Sequence, residues 1–179
     1  MGGDIDMIKI TLPISKENIT KLVVGQEVFV TGTIYTARDA AHKRMDDALN
    51  GKKVLPIKID GATIFYAGPC PAKEGQVIGS CGPTTSSRMD KYAPRLYDLG
   101  LSFVIGKGNV GDGVKEAIKR NGGCYLAATG GAGAMLASCV TAMEVVAYAD
   151  LGPESIKKLE VRDMPLIVAV NGHGDIFKY

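Results

Sequence analysis

Along the chain, short apolar runs rich in β-branched and aromatic residues are separated by glycine and proline. They fall at residues 28–35 (VFVTGTIY), 62–67 (ATIFYA), 77–80, 102–105 (SFVI), 124–128 (CYLAA) and 165–170 (PLIVAV). Runs of that length and composition predict at least six strands. Ala37, Ala40, Ala41, Met45 and Ala48 recur near one helical face over residues 36–50, and Val114, Ala117 and Ile118 do so over 112–120. Both segments predict amphipathic helices. Strands come first and a β-α-β-α-β order follows, as in an α/β domain.

A third stretch, residues 132–149 (AGAMLASCVTAMEVVAYA), is apolar on nearly every side, and a long helix is predicted over 132–151. At roughly 18 residues a bilayer span is marginal, and Ser138, Thr141 and Glu144 lie inside it. A helix apolar all round is better placed inside protein, and covering every face in so small a domain points to a second subunit. The sequence has no internal repeat and no linker long enough to divide it.

Length and composition narrow the class. A chain of 179 residues fits one domain of roughly 100–200 residues. We therefore read 1–179 as a single domain, with 1–11 a poorly ordered or peripheral leading segment. With 46% hydrophobic and 22% charged residues, it carries enough apolar material for a core. The net charge of +2 is too small for a nucleic-acid partner, so an anionic ligand has to be met by a few placed cations. Four cysteines in 179 residues do not make a disulfide scaffold, and a reducing compartment fits them best. The leading MGGDIDMIKITLP has acids where a signal peptide needs Lys or Arg, so a cytoplasmic protein is expected.

Three clusters carry candidate chemistry. Residues 106–111 (GKGNVG) match G-x-G-x-x-G between a predicted strand and a predicted helix, the context of a dinucleotide fingerprint. The acid that should follow about 20 residues later is missing, because the next strand ends in Thr129-Gly130-Gly131. What survives is a glycine-rich turn at a helix N-terminus that could meet an anion, with Lys107 adding a point charge. In residues 81–90 (CGPTTSSRMD), four successive hydroxyls lead to Arg88, whose guanidinium fork suits a carboxylate. The same segment also reads as a capped loop opening a helix through Met89 to Tyr97, and both readings stand. In residues 36–44 (TARDAAHKR), Arg38 follows directly on a strand, and His42 lies four residues on. An ordinary histidine on a polar helix face is preferred for His42 over an acid–base role. His173 sits in a terminal turn with nothing to mark it. Cys70, Cys81, Cys124 and Cys139 are spaced 11, 43 and 15 apart, unlike any zinc or ferredoxin pattern, and buried thiols are expected.

Taken in order, TARDAAHKR, FYAGPCPA, GPTTSSRMD, IGKGNVGDGV and ATGGAGAMLA resemble the β subunit, or C-terminal domain, of the iron–sulfur-dependent class I fumarases and L-tartrate dehydratases. The similarity covers about residues 12–177. It implies a swivelling β/β/α domain of α/β class, a mixed β-sheet core flanked by helices. It also implies a hydro-lyase active only with an α subunit, which holds a [4Fe-4S] cluster by three cysteines, so this chain holds no metal. Carried over by motif, Arg38, Thr84, Thr85, Arg88 and Lys107 contact the dicarboxylate substrate, with Thr84 as the catalytic base and Thr85 as the alternative. Dehydrating malate needs a base, a Lewis acid and cations for the developing charge, and three of these residues are cations. The implied partners are the α subunit and a small dicarboxylate, without nucleic acid or membrane. The exposed half-site also points to homo-oligomers as an outcome for the isolated chain.

Overall fold

The computed structural model describes residues 7–128 and 131–178. Its seven strands are β1 (Ile8–Thr11), β2 (Glu27–Thr36), β3 (Thr63–Phe65), β4 (Phe103–Gly106), β5 (Cys124–Ala127), β6 (Val140–Ala147) and β7 (Ile156–Val170). They follow the order β1-β2-β3-β4-β5-β7-β6, and β2 also pairs with β7. The β2–β7 ladder closes β2, β3, β4, β5 and β7 into a ring. β1 to β5 pair in parallel, whereas β7 is antiparallel to β2, β5 and β6. The mixed sheet and α/β class are as expected.

The helices are α1 (Lys16–Ile19), α2 (Asp39–Asn50), α3 (Ala93–Asp98), α4 (Asp112–Asn121) and α5 (Gly133–Ser138). Strands β3, β4 and β5 are buried along their whole length, as parallel strands covered on both faces must be. Alternation divides their side chains between two cores. Phe65, Phe103, Ile105, Cys124 and Leu126 point into the closed ring, where they meet Val28, Val30, Ile34 and Leu159. Ile64, Val104 and Tyr125 point outward beneath α2, α3 and α4, against Met45, Leu96, Val114 and Ile118. Burying a side chain such as Ile105 contributes about 1.5–3 kcal/mol, so both faces resist polar substitution.

Several expectations are corrected. Residues 77–80 are not a strand: Ile78 is buried, but the segment folds back irregularly, and Cys70 N–H donates to the Ser80 carbonyl at 2.9 Å. The predicted helix over 132–151 is three elements: α5, the strand β6 and a 3-10 turn at Ala149–Glu154. β-branched Val140, Thr141, Val145 and Val146 favour a strand, and the 15-residue β7 offers an edge that pairs with them. Residues 141–146 are exposed, and Met143, Val145 and Val146 leave an apolar edge open. The predicted helix through Met89 to Tyr97 is a 3-10 turn at Ser86–Met89 followed by α3.

Residues 1–6 of the leading segment lie outside the described residues, and residues 8–11 form the sheet's edge strand β1. Among the described residues no helix is long and apolar enough to cross a membrane.

Candidate active site

The four parallel strands β2 to β5 end on the same side of the sheet, where loops of α/β proteins bring ligand groups together. Arg38 leaves the end of β2 in an extended conformation (φ −112°, ψ −163°) and hands the chain to α2. Its side chain passes over Gly68, where a Cβ would lie 3.0 Å from Arg38 Cδ. Residues 81–90 cross the ends of β3 and β4. Pro83 bridges to Ala67, Thr84 N–H donates to the Tyr66 carbonyl at 2.7 Å, and Ser86 N–H donates to the Lys107 carbonyl at 3.0 Å. A further bridge joins Thr85 to Lys107. Arg38, Thr84, Thr85, Arg88 and Lys107 thus gather at one end of the sheet. Thr84 and Lys107 are half-buried, while Thr85 and Arg88 are exposed.

Carboxylates that no motif singles out organise these cations. Arg88 Nε donates to Asp39 Oδ1 at 3.0 Å, and the Arg38 guanidinium lies 3.7 Å from Asp39 Oδ2. Asp39 therefore ties the two arginines together across 49 residues of chain. Glu154 approaches Arg38 Nε at 4.0 Å and accepts the Ala40 N–H at 3.3 Å, which caps the first turn of α2 from outside the helix. Arg38 Nε itself is buried without a hydrogen bond among the described residues. Lys157 holds the loop bearing Glu154: its ammonium donates to the Gly152 and Pro153 carbonyls and, at 2.7 Å, to Ser155 Oγ. Desolvation lowers the pKa of this mostly buried lysine.

The glycine-rich turn has a structural explanation. A Cβ on Gly106 would collide with Ser86 Oγ, and one on Gly111 would lie 2.7 Å from Asp90 Oδ2. Gly108 has a φ of +73°, which favours glycine. Ser86 Oγ bonds to the Tyr125 hydroxyl at 2.8 Å, which in turn donates to the Gly108 carbonyl at 2.8 Å. Two of the three fingerprint glycines thus admit the 84–90 segment rather than a pyrophosphate. The Gly111 N–H at the start of α4 is taken by Asp90 Oδ2 at 2.9 Å. Desolvation raises the Asp90 pKa, and the Gly111 N–H counters it in part. Thr129 and Gly130, at the end of the next strand, lie outside the described residues.

The expected site residues come together, and their supports divide by how visible they were. Asp39 and Asp90 stand inside the quoted motifs, but nothing in the sequence marked them as partners. Glu154 arrives from a remote turn and Lys157 from the start of β7, with no local signal for either. His42 is 1% exposed, and desolvation holds its pKa down to about 4, so it is neither an ordinary polar-face residue nor an acid–base group near neutral pH. His173 bonds to the Thr20 carbonyl at 2.9 Å, away from the site.

The four thiols are not gathered into a ligand set for an iron–sulfur cluster. All four are unpaired, and burial pushes the Cys81 and Cys124 thiols up to about 12. Cys70 is exposed and Cys139 only part-buried, so the expectation of buried thiols fails for these two. Among the described residues, no group of three or more His, Cys, Asp or Glu could hold a metal ion.

Known proteins agree with the motifs. The family described as Fumarase C-terminus matches residues 2–179. The aerobic class I fumarate hydratase of Salmonella typhimurium is 36% identical over 179 residues, covering 98% of this chain and 31% of that protein. Fumarate hydratase 2 of Leishmania major is 36% identical over 167 residues, 91% of this chain and 29% of its own length. A Methanocaldococcus jannaschii protein provisionally named L(+)-tartrate dehydratase subunit beta is 38% identical over 168 residues, covering 90% of this chain and 86% of that protein. The chain spans about a third of the fumarate hydratases but most of the separate β subunit. It belongs to the fumarase C-terminus family.

Proposed function

We propose that this chain is the β half of a class I fumarate hydratase, adding water to fumarate to give malate and running the reverse dehydration together with an α half. The observation that carries this reading is the meeting of Arg38, Thr84, Arg88 and Lys107 at the carboxyl ends of β2 to β4, in a chain of this family. Dehydration removes a proton from the carbon beside one carboxylate while hydroxide leaves the neighbouring carbon. The negative charge that develops on the carboxylate oxygens is met by the two guanidiniums and the Lys107 ammonium.

On this reading Thr84 acts as the base, with Thr85 beside it as the alternative. A threonine hydroxyl is a poor base, and no hydrogen-bond partner of Thr84 Oγ1 is found among the described residues, so a carboxylate from the α half has to activate it. The [4Fe-4S] cluster is assigned to that α half, as the family resemblance implies, and the scattered thiols of this chain are consistent with that. Residues 1–179 are taken as one domain and the complex as cytoplasmic.

L-tartrate dehydration is the second reading. It is favoured by the relative that matches this chain over 86% of its own length and is named for that activity. The test is anaerobic co-purification with the candidate α half, cluster reconstitution, and turnover of fumarate, malate and tartrate followed by ultraviolet absorbance. Activity that needs both halves supports the hydro-lyase reading, and the preferred substrate separates fumarase from tartrate dehydratase. An intact cluster-loaded complex that turns over none of the three overturns it.

A further inference from the structure

His42 lies at the start of α2, beneath the residues that face solvent. Its Nδ1 is 2.9 Å from the Arg38 carbonyl oxygen, which already accepts the His42 backbone N–H at 2.9 Å. A carbonyl only accepts, so Nδ1 carries the proton and Nε2 is the bare nitrogen. Nε2 is buried with no hydrogen-bond partner among the described residues. The ring stands edge-on to Tyr66, with centroids 5.2 Å apart, and tilts against Tyr92 at 5.9 Å. Tyr66 is the residue whose carbonyl receives the Thr84 N–H. One buried ring therefore touches both the peptide that launches Arg38 and the residue beneath Thr84.

We propose that His42 is a positioning residue: its Nδ1–H fixes the Arg38 peptide so that the guanidinium leaves β2 toward the site, and its ring seats Tyr66 under Thr84. This rests on the reading of Arg38 and Thr84 as substrate-handling groups. The helix does not need the extra bond, because the His42 backbone N–H already gives the Arg38 carbonyl its ordinary partner four residues on. The Arg38 side chain makes no cap bond to α2, and its backbone is extended. A second donor on the same carbonyl restricts the orientation of that peptide at the point where strand becomes helix. The ring stays neutral near physiological pH, so it does this without adding charge beside the arginines.

The test compares His42→Asn, His42→Leu and His42→Phe in the assembled complex. Asn and Leu are close in size and both lack the ring, but only Asn can place an N–H near the Nδ1 position. Phe keeps a ring and has no donor. We expect Leu and Phe to raise the dicarboxylate KM about tenfold, the usual scale for losing one buried hydrogen bond, and Asn to recover most of that loss. Equal KM values for Asn and Leu, or a wild-type KM for Phe, overturn the proposal in favour of packing alone.

A second readout needs no turnover. In the isolated chain, nitrogen NMR of the imidazole should report the Nδ1–H tautomer, and exchange of the residue 42 amide should be faster in Leu than in Asn. The Nε2–H tautomer, or equal exchange, overturns the proposal. A wild-type complex inactive on every dicarboxylate counts against the functional reading instead, and the tautomer and exchange comparison then decides His42.

Discussion

Replacing Gly106 with alanine tests the packing that builds the site. The added Cβ collides with Ser86 Oγ and comes within 3.2 Å of Tyr66 Cδ2 and 3.3 Å of Ser86 Cβ. Overfilling a tight contact costs about 1–3 kcal/mol. Driving Ser86 Oγ off the Tyr125 hydroxyl forfeits about 1 kcal/mol more. A total of about 2–4 kcal/mol lowers Tm by about 5–15 °C in a domain of this size. Far-ultraviolet circular dichroism melts and urea unfolding followed by tyrosine fluorescence measure it, the chain having seven tyrosines and no tryptophan. Ser86→Ala removes the colliding oxygen, so the double variant should be more stable than the summed single effects by about 1 kcal/mol or more. An unchanged Tm for Gly106→Ala, or strict additivity, refutes the reasoning. If Gly106 instead admitted a pyrophosphate, Tm would hold and NAD binding, absent in our reading, would appear in the wild type and vanish in the variant.

Three further outcomes are expected. Arg88→Lys keeps the charge but loses the planar fork that meets Asp39, and should raise the dicarboxylate KM about tenfold; near-normal kinetics would leave Arg88 as a loop residue. Thr84→Val keeps the shape and the main-chain bond to Tyr66, so kcat should fall about 10²–10⁴-fold with Tm nearly unchanged, whereas an unfolded variant would make the hydroxyl structural. Burial holds the folded pKa of His42 at about 4 against 6.5 unfolded, so between those values the unfolded chain binds the extra proton and stability rises as pH rises, by about 3 kcal/mol in all. Urea unfolding of wild type and His42→Leu at several pH values isolates this term, because other groups cancel in the difference. Parallel curves would contradict it.

What the sequence revealed follows from how locally each feature is specified. Strands β2 to β5 and helices α2 and α4 were visible because their apolar spacing and their Gly and Pro boundaries lie within one window. The first half of β7 (IKKLEVRDM) was missed because lysines interrupt it and Pro165 reads as a break. In the sheet, Pro165 stands opposite Phe29 on β2, and the paired length on both edges outweighs the local signal. The run 132–149 fails for a related reason: alanine and methionine suit a helix and valine a strand, and only the open edge of β7 decides. At the site, motif and residue type pointed to Arg38, Thr84, Arg88 and Lys107, whereas Asp39, Glu154 and His42 become partners only once α2 is laid against β2, β3 and the 149–154 turn.

The charge arrangement sets the last expectation. Arg38, Arg88 and Lys107 bring three positive charges to the rim, and Asp39 and Glu154 set two carboxylates among them. Fumarate and malate are dianions, so the single remaining positive charge is one short. The N-termini of α2 and α4 add little to the balance, because each already has a carboxylate against it: Glu154 accepts the Ala40 N–H and Asp90 the Gly111 N–H. Near a water-exposed surface, one extra unit charge at 4 Å attracts by only about 1–4 kcal/mol before desolvation is counted. The isolated chain should therefore bind dicarboxylates no tighter than about 1 mM, and on the proposed reading the assembled complex binds much more tightly, with the α half contributing cationic or metal-centred contacts to the second carboxylate. Amide shifts at Arg38, Thr84 and Lys107 during a malate titration of the isolated chain measure this directly. Saturation at micromolar malate would mean that this half neutralises the dianion alone, and would remove the electrostatic reason for a partner at the site.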